Sequence, residues 1–151
     1  MKPRIEIPLL VAALMLMVLA ACKTAPREAE PAATAAQWQR VADSATQVAY
    51  LDPASLQLTN DGLRAIVKIN YTTPQTFSGD EYRSARSVYI IDCAGNRVAD
   101  RENAIYTEAD LGGKRVQRAS RSMGNLVWRD AASGSVDGEL LTSACRRARA
   151  P

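Results

Sequence analysis

The stretch YRSARSVYIIDC, residues 82–93, decides how the chain is read. Its second half is rich in β-branched and aromatic residues, and the run predicts one long strand, Tyr82–Cys93. Side chains alternate along a strand, so Tyr89, Ile91 and Cys93 point one way and Arg86, Val88 and Ile90 the other. Ala94-Gly95-Asn96 then predicts a tight turn into a second strand, Arg97–Tyr106. Two faces that both carry large apolar side chains need two covers. Parity is the premise: one β-bulge inside the stretch would invert the assignment.

Upstream, Leu63–Tyr71 alternates in the same way. Leu63, Ala65, Val67, Ile69 and Tyr71 share one face; Arg64, Lys68 and Asn70 share the other. Asn60-Asp61-Gly62 joins this strand to Leu56–Thr59 as a hairpin, because Asn and Gly tolerate positive φ. Trp38–Val41 and Thr46–Leu51 read as further strands, with DPASL as a turn and TTPQTFSGD as a loop. Val116–Ser120 and Leu126–Trp128 are weaker strands after a turn through Gly112-Gly113. The end of the chain changes period. Ser135 is placed to cap a helix, with Asp137 and Glu139 in its first turn and Arg146 and Arg147 in its last. Val136, Leu140, Leu141, Ala144 and Cys145 fall on one helical face. The expected fold class is α+β: an antiparallel sheet of about six strands with one C-terminal helix packed on one face.

The first 36 residues are different in kind. Lys2 and Arg4 precede an uncharged run of fifteen residues, Ile7–Ala21. That run is short for a bilayer span, which needs about 20 residues, and has the form of a secretory signal, residues 1–21. Leu19-Ala20-Ala21-Cys22 resembles a bacterial lipobox, in which the cysteine thiol takes a diacylglyceryl group and becomes the acylated mature N-terminus. The alternative is a plain signal peptide with an incidental Cys22. Residues 22–36 hold two prolines and no large apolar side chain, so they form a tether rather than part of a core. The expected domain is 37–148, with 149–151 as a tail. Lys23 follows the cysteine where an inner-membrane retention signal of enteric lipoproteins would have aspartate, which favours the bacterial outer membrane.

Between Gln37 and Cys145 there are 12 Lys+Arg and 13 Asp+Glu, so the net charge of +3 does not belong to the domain. It sits in the last six residues, RRARAP, whose three arginines are a solvated terminus or a weak attraction to anionic lipid or glycan. A neutral domain on an exported chain excludes nucleic acid as a partner. With Cys22 set aside, Cys93 and Cys145 remain, and in an oxidising compartment such a pair becomes a disulfide. Two free buried thiols are the alternative.

The chain has no histidine, which removes Ser-His-Asp and Cys-His catalysis and the usual zinc and haem ligands. Gly112-Gly113-Lys114 is not a phosphate loop, since Glu108 stands where glycine is needed and Arg115 replaces Ser or Thr. Asp100, Glu102, Glu108 and Asp110 form an acidic cluster with no fixed spacing, read as solvated surface. Arg83, Arg86, Arg97 and Arg101 gather on adjacent strands and are the ligand-contact candidates; the plainer reading pairs them with Asp92 and Asp100 across strands. No cofactor is implied, and no enzyme.

The stretches WQRVA, VAYLDPASL, INYTTPQ, YRSARSVYIIDC, VWRD…GS and SAC, in that order from Trp38 to Cys145, resemble the surface-adhesin protein E family of bacterial lipoproteins. Residues 109–125 have no counterpart in it. The resemblance implies a six-stranded antiparallel sheet and a C-terminal helix tied to the sheet's concave side by Cys93–Cys145. It also implies a dimeric, surface-displayed lipoprotein whose family role is adhesion to host matrix proteins. The competing function is a structural envelope lipoprotein that self-associates or assists another envelope protein. If Cys93 bonds to the helix, Val88 and Ile90 lie on the uncovered face with Ile66, and a homodimer burying them is expected.

Overall fold

The computed structural model describes residues 36–150. The signal segment, Cys22 and the tether before Ala36 lie outside the described residues. A curled antiparallel sheet is built from β1 (Gln39–Asp43), β2 (Gln47–Thr59), β3 (Gly62–Phe77), β4 (Asp80–Asp92), β5 (Arg97–Tyr106), β6 (Arg115–Ser120) and β7 (Trp128–Asp130). The order is β1-β2-β3-β4-β5-β6, with β7 also pairing β5. One helix follows, α1 (Val136–Ala148). The α+β expectation is correct, with a seventh strand that sequence reading put two residues early.

α1 forms where the helical period begins. Ser135 accepts a hydrogen bond from the Gly138 N–H (3.0 Å), and Asp137 and Glu139 occupy the first turn. Gly138 costs helix stability, yet a Cβ there would stand 2.1 Å from the Ala132 carbonyl oxygen, so the close approach of the preceding loop requires glycine. Leu140, Leu141, Ala144 and Cys145 are buried against Leu51, Leu63, Ala65, Val67, Ile91 and Val98. The Cys93–Cys145 disulfide is present, with Cα atoms 6.0 Å apart, and joins the end of β4 to the helix.

β3 and β4 pair without interruption from Leu63↔Ile91 to Asn70↔Ser84, so the parity of Val88 and Ile90 stands as expected. The pairing then slips. The next partners are Gln75↔Tyr82, five residues on in β3 against two in β4, leaving three extra residues in β3. The premise of an unbroken alternation from Tyr82 therefore fails at Arg83. Tyr82 packs on the helix-side core with Tyr71, while Ser84 serves the opposite face. A second slip falls on β5: Val88 faces Glu102 and Tyr89 faces Asp100, so Arg101 is the extra residue.

Two segments read as non-strand are strand. TTPQTFSGD continues both β3 and β4 into a projecting arm, closed by Ser78 and Gly79 at φ 52° and 89°. Two successive positive φ values make the tight two-residue hairpin turn. Pro74 is accommodated because it falls in the slipped segment, where no ladder donor is needed. DPAS likewise stays within β2 as a bulge. The Asp52 side chain accepts from the Ala54 N–H (3.1 Å), and Ser55 Oγ accepts from the Ile66 N–H (2.8 Å), standing in for a lost ladder partner.

Candidate functional site

α1 covers only part of its face of the sheet. Beyond its N-terminus two clefts open, of about 530 Å³ and about 320 Å³, and they share Tyr71, Asp100 and Asn103. Together they form one furrow from Ser135 at the head of α1 to Phe77 on the arm. The slip after Asn70 brings the arm to the furrow, so that Phe77 lines it with Ala119 and Arg121 of the β6 edge. The β5 bulge sets Asp100 and the extra residue Arg101 side by side at one wall, while Glu102, opposite Val88, returns to the other face.

Arg129 organises the floor. Its guanidinium donates to Asp100 (2.6 Å) and to Asp137 (3.1 Å) and lies over the Tyr89 ring at 5.8 Å. Burial opposes its charge, but the Asp137 hydrogen bond and the Asp100 carboxylate outweigh that and hold it protonated. One side chain thus ties β7, β5 and α1 together. Burial, with the nearby Tyr82 and Asp100, pushes the Tyr71 phenol up to about 12, and burial pushes Tyr89 higher still. Both are neutral hydroxyls at physiological pH, suited to hydrogen bonding and not to proton abstraction. Tyr71 and Tyr82 meet edge-on, centroids 5.4 Å apart. A furrow of neutral phenols, an amide, one exposed phenylalanine and flanking arginines is suited to recognising a polypeptide surface.

The four arginines read as ligand contacts do not share one patch. Arg101 lines the furrow. Arg83 is exposed at the slip. Arg86 sits on the opposite face beside Glu102 and Arg118. Arg97 is paired with Asp92 (2.9 Å) and stacks on Trp128 (4.6 Å). The acidic cluster is likewise dispersed: Asp100 belongs to Arg129, Glu102 to Arg118 (3.4 Å) and Asp110 to Lys68 (2.5 Å), with Glu108 exposed. Sequence reading missed Arg129, Tyr71 and Phe77 as site residues. Arg129 sits in a three-residue strand whose role depends on pairing with a segment about thirty residues away.

The opposite face has its own anchor. Lys68 is buried with its ammonium 4.3 Å from the Tyr50 ring and 5.4 Å from Trp38. It holds Asp110, which also accepts from the Asn70 amide (2.9 Å). These contacts keep the Asp110 carboxyl below the usual range. Buried Ser84 Oγ donates to the Glu108 carbonyl (2.6 Å) and accepts from the Leu111 N–H (3.0 Å). The start of the 109–125 stretch is thereby pinned across β3 and β4. The expectation that Val88 and Ile90 form an uncovered apolar patch fails: each is only 1% exposed within the single chain, outside the helix-side core, and of the three only Ile66 is partly open.

The geometry and the sequence meet in one family. The model for the surface-adhesin protein E family matches residues 38–146, and the chain belongs to that family. Two crystal forms of Haemophilus influenzae protein E share the fold at 16% identity. The match covers 72% of this chain and 83% or 87% of theirs, with TM-scores of 0.51 and 0.52. No curated protein matches the sequence.

Proposed function

We propose that the chain is a lipid-anchored adhesin of the bacterial outer membrane, whose furrow between the arm, the β5 bulge and the head of α1 takes a host matrix protein. The observation that carries this is the family match over nearly the whole domain. The furrow supports it, because aromatic and arginine side chains dominate protein–protein hot spots. Phe77→Ala and Arg101→Glu test it, Phe77 lining the furrow while 42% exposed. Binding of immobilised extracellular-matrix proteins falls at least about tenfold with little change in melting temperature, as loss of a hot-spot side chain implies. Variants that bind as the parent does overturn the assignment to the furrow. Cys22 is proposed as the lipid attachment point, which mass spectrometry of the mature N-terminus decides. Trypsin accessibility on intact cells separates surface display from the alternative of a periplasm-facing envelope lipoprotein.

A homodimer through the face opposite α1 is part of the same proposal. That face carries Ile66, Val88, Ile90 and Ala99, none of them within the helix-side core. Val88 and Ile90 are buried in the chain, so a second copy would rest on the rim around them, Ile66 and Arg86. Light scattering of the delipidated protein reads the association. Val88→Asp would damage the fold itself, so Ile66→Asp is the probe: it abolishes the dimer while leaving the monomer folded. A parent that stays monomeric at high micromolar concentration ends the dimer reading.

A further inference from the structure

The end of the domain away from the furrow has an apolar and basic skin. A groove of about 520 Å³ runs there between β2, the start of β3 and the last turn of α1, lined by Pro53, Leu56, Leu58, Leu63, Arg147 and Ala148. Leu58 is 77% exposed, the most open of the large apolar side chains among the described residues. Leu58 faces Leu63 across the hairpin and so continues the helix-side apolar face past the point where α1 stops. Arg147 lines this groove, while Arg146 and Arg149 line the adjoining hollow of the same last turn with Thr142 and Cys145; all three are exposed and none makes an ion pair among the described residues. The acidic groups on the flanking segments are Asp52, buried and accepting from the Ala54 N–H, Asp61 at the hairpin tip, and Asp92, which Arg97 neutralises. The chain also arrives from this end, because Gln39 pairs with Leu51 and the residues before it therefore come from the side of Pro53.

We propose that this pole is a membrane-facing surface that seats the domain on an anionic phospholipid leaflet, with Leu58 inserted among the headgroups and Arg146, Arg147 and Arg149 on their phosphates. A leucine beside uncompensated arginines is the combination that interfacial binding uses: apolar area for insertion and cations for attraction to anionic lipid. Charge complementarity favours a lipid surface over a second copy, which would set the same three arginines against each other. The orientation agrees with the anchoring reading, since the first described residues before β1 lie at this pole and the furrow opens beyond the other end of α1.

Co-sedimentation with phosphatidylcholine vesicles, with and without phosphatidylglycerol, tests this. The chain from Ala36 onward suffices, because its core is complete within residues 42–145. It is expected to bind only the phosphatidylglycerol vesicles and to be released by salt. Replacing Arg146, Arg147 and Arg149 by Gln weakens partitioning about fivefold per arginine. Leu58→Ser weakens it without altering the salt dependence. Equal binding to both vesicle types, or unchanged binding by the triple variant, overturns the proposal. Matrix binding by the furrow is untouched by these substitutions, so the two readings fail separately.

Discussion

The two ends of the sheet are closed by different physics. At the β2–β3 tip the helix is tied covalently, Cys93 to Cys145, and apolar side chains fill the space around the bond. Toward the arm end closure is polar, with Lys68 on Asp110 and Ser84 between two backbone groups, and Arg129, between two carboxylates, holds the head of α1 to β5. Covalent closure holds whatever the solvent. Polar closure depends on geometry and on pH, and it leaves side chains with hydrogen-bonding capacity for a partner. The furrow lies at the polar end.

That contrast can be broken first at the disulfide. The bond spans 52 residues, and in the chain-entropy model its loss costs about 4 kcal/mol. Cys145→Ser is expected to lower urea stability by roughly that amount, with early protease cutting near Leu140 while the arm stays protected. The next effect is smaller. Arg129→Gln leaves Asp100 and Asp137 without their shared cation, but the guanidinium is 40% exposed, and solvent screening limits the cost to about 1 kcal/mol. The loss should appear as faster hydrogen exchange at Trp128–Asp130 and the first turn of α1, with the last turn of α1 unchanged. The smallest effect belongs to Asp110. Its carboxyl is held low by Lys68 first and Asn70 second. The pinning of residues 108–113 is therefore fully present above the ordinary aspartate pKa of about 3.9 and lost as pH falls through the lowered folded value. Exchange in that loop should rise at acid pH in the parent, and Asp110→Asn should show the raised exchange at neutral pH.

Much of this was legible in the residues. Alternation in Leu63–Tyr71 and in the second half of 82–93 named the core face, because a period of two needs no tertiary information. The Ser135 cap and the spacing of Leu140, Leu141, Ala144 and Cys145 named the helix for the same local reason. TTPQTFSGD misled because proline and glycine usually mark loops, whereas here the proline falls in a slip and the glycine closes the arm.

The sequence by itself determined the two faces of the central strands, the helix and the pair of cysteines available to each other. Each of these rests on a repeat period or an element-scale count. Only the tertiary structure decided the furrow. Its walls depend on two register slips, the extra residues before Gln75 and the extra Arg101, and on a three-residue strand meeting β5. A slip is a property of two paired strands, not of either one, so no single run of residues announces it.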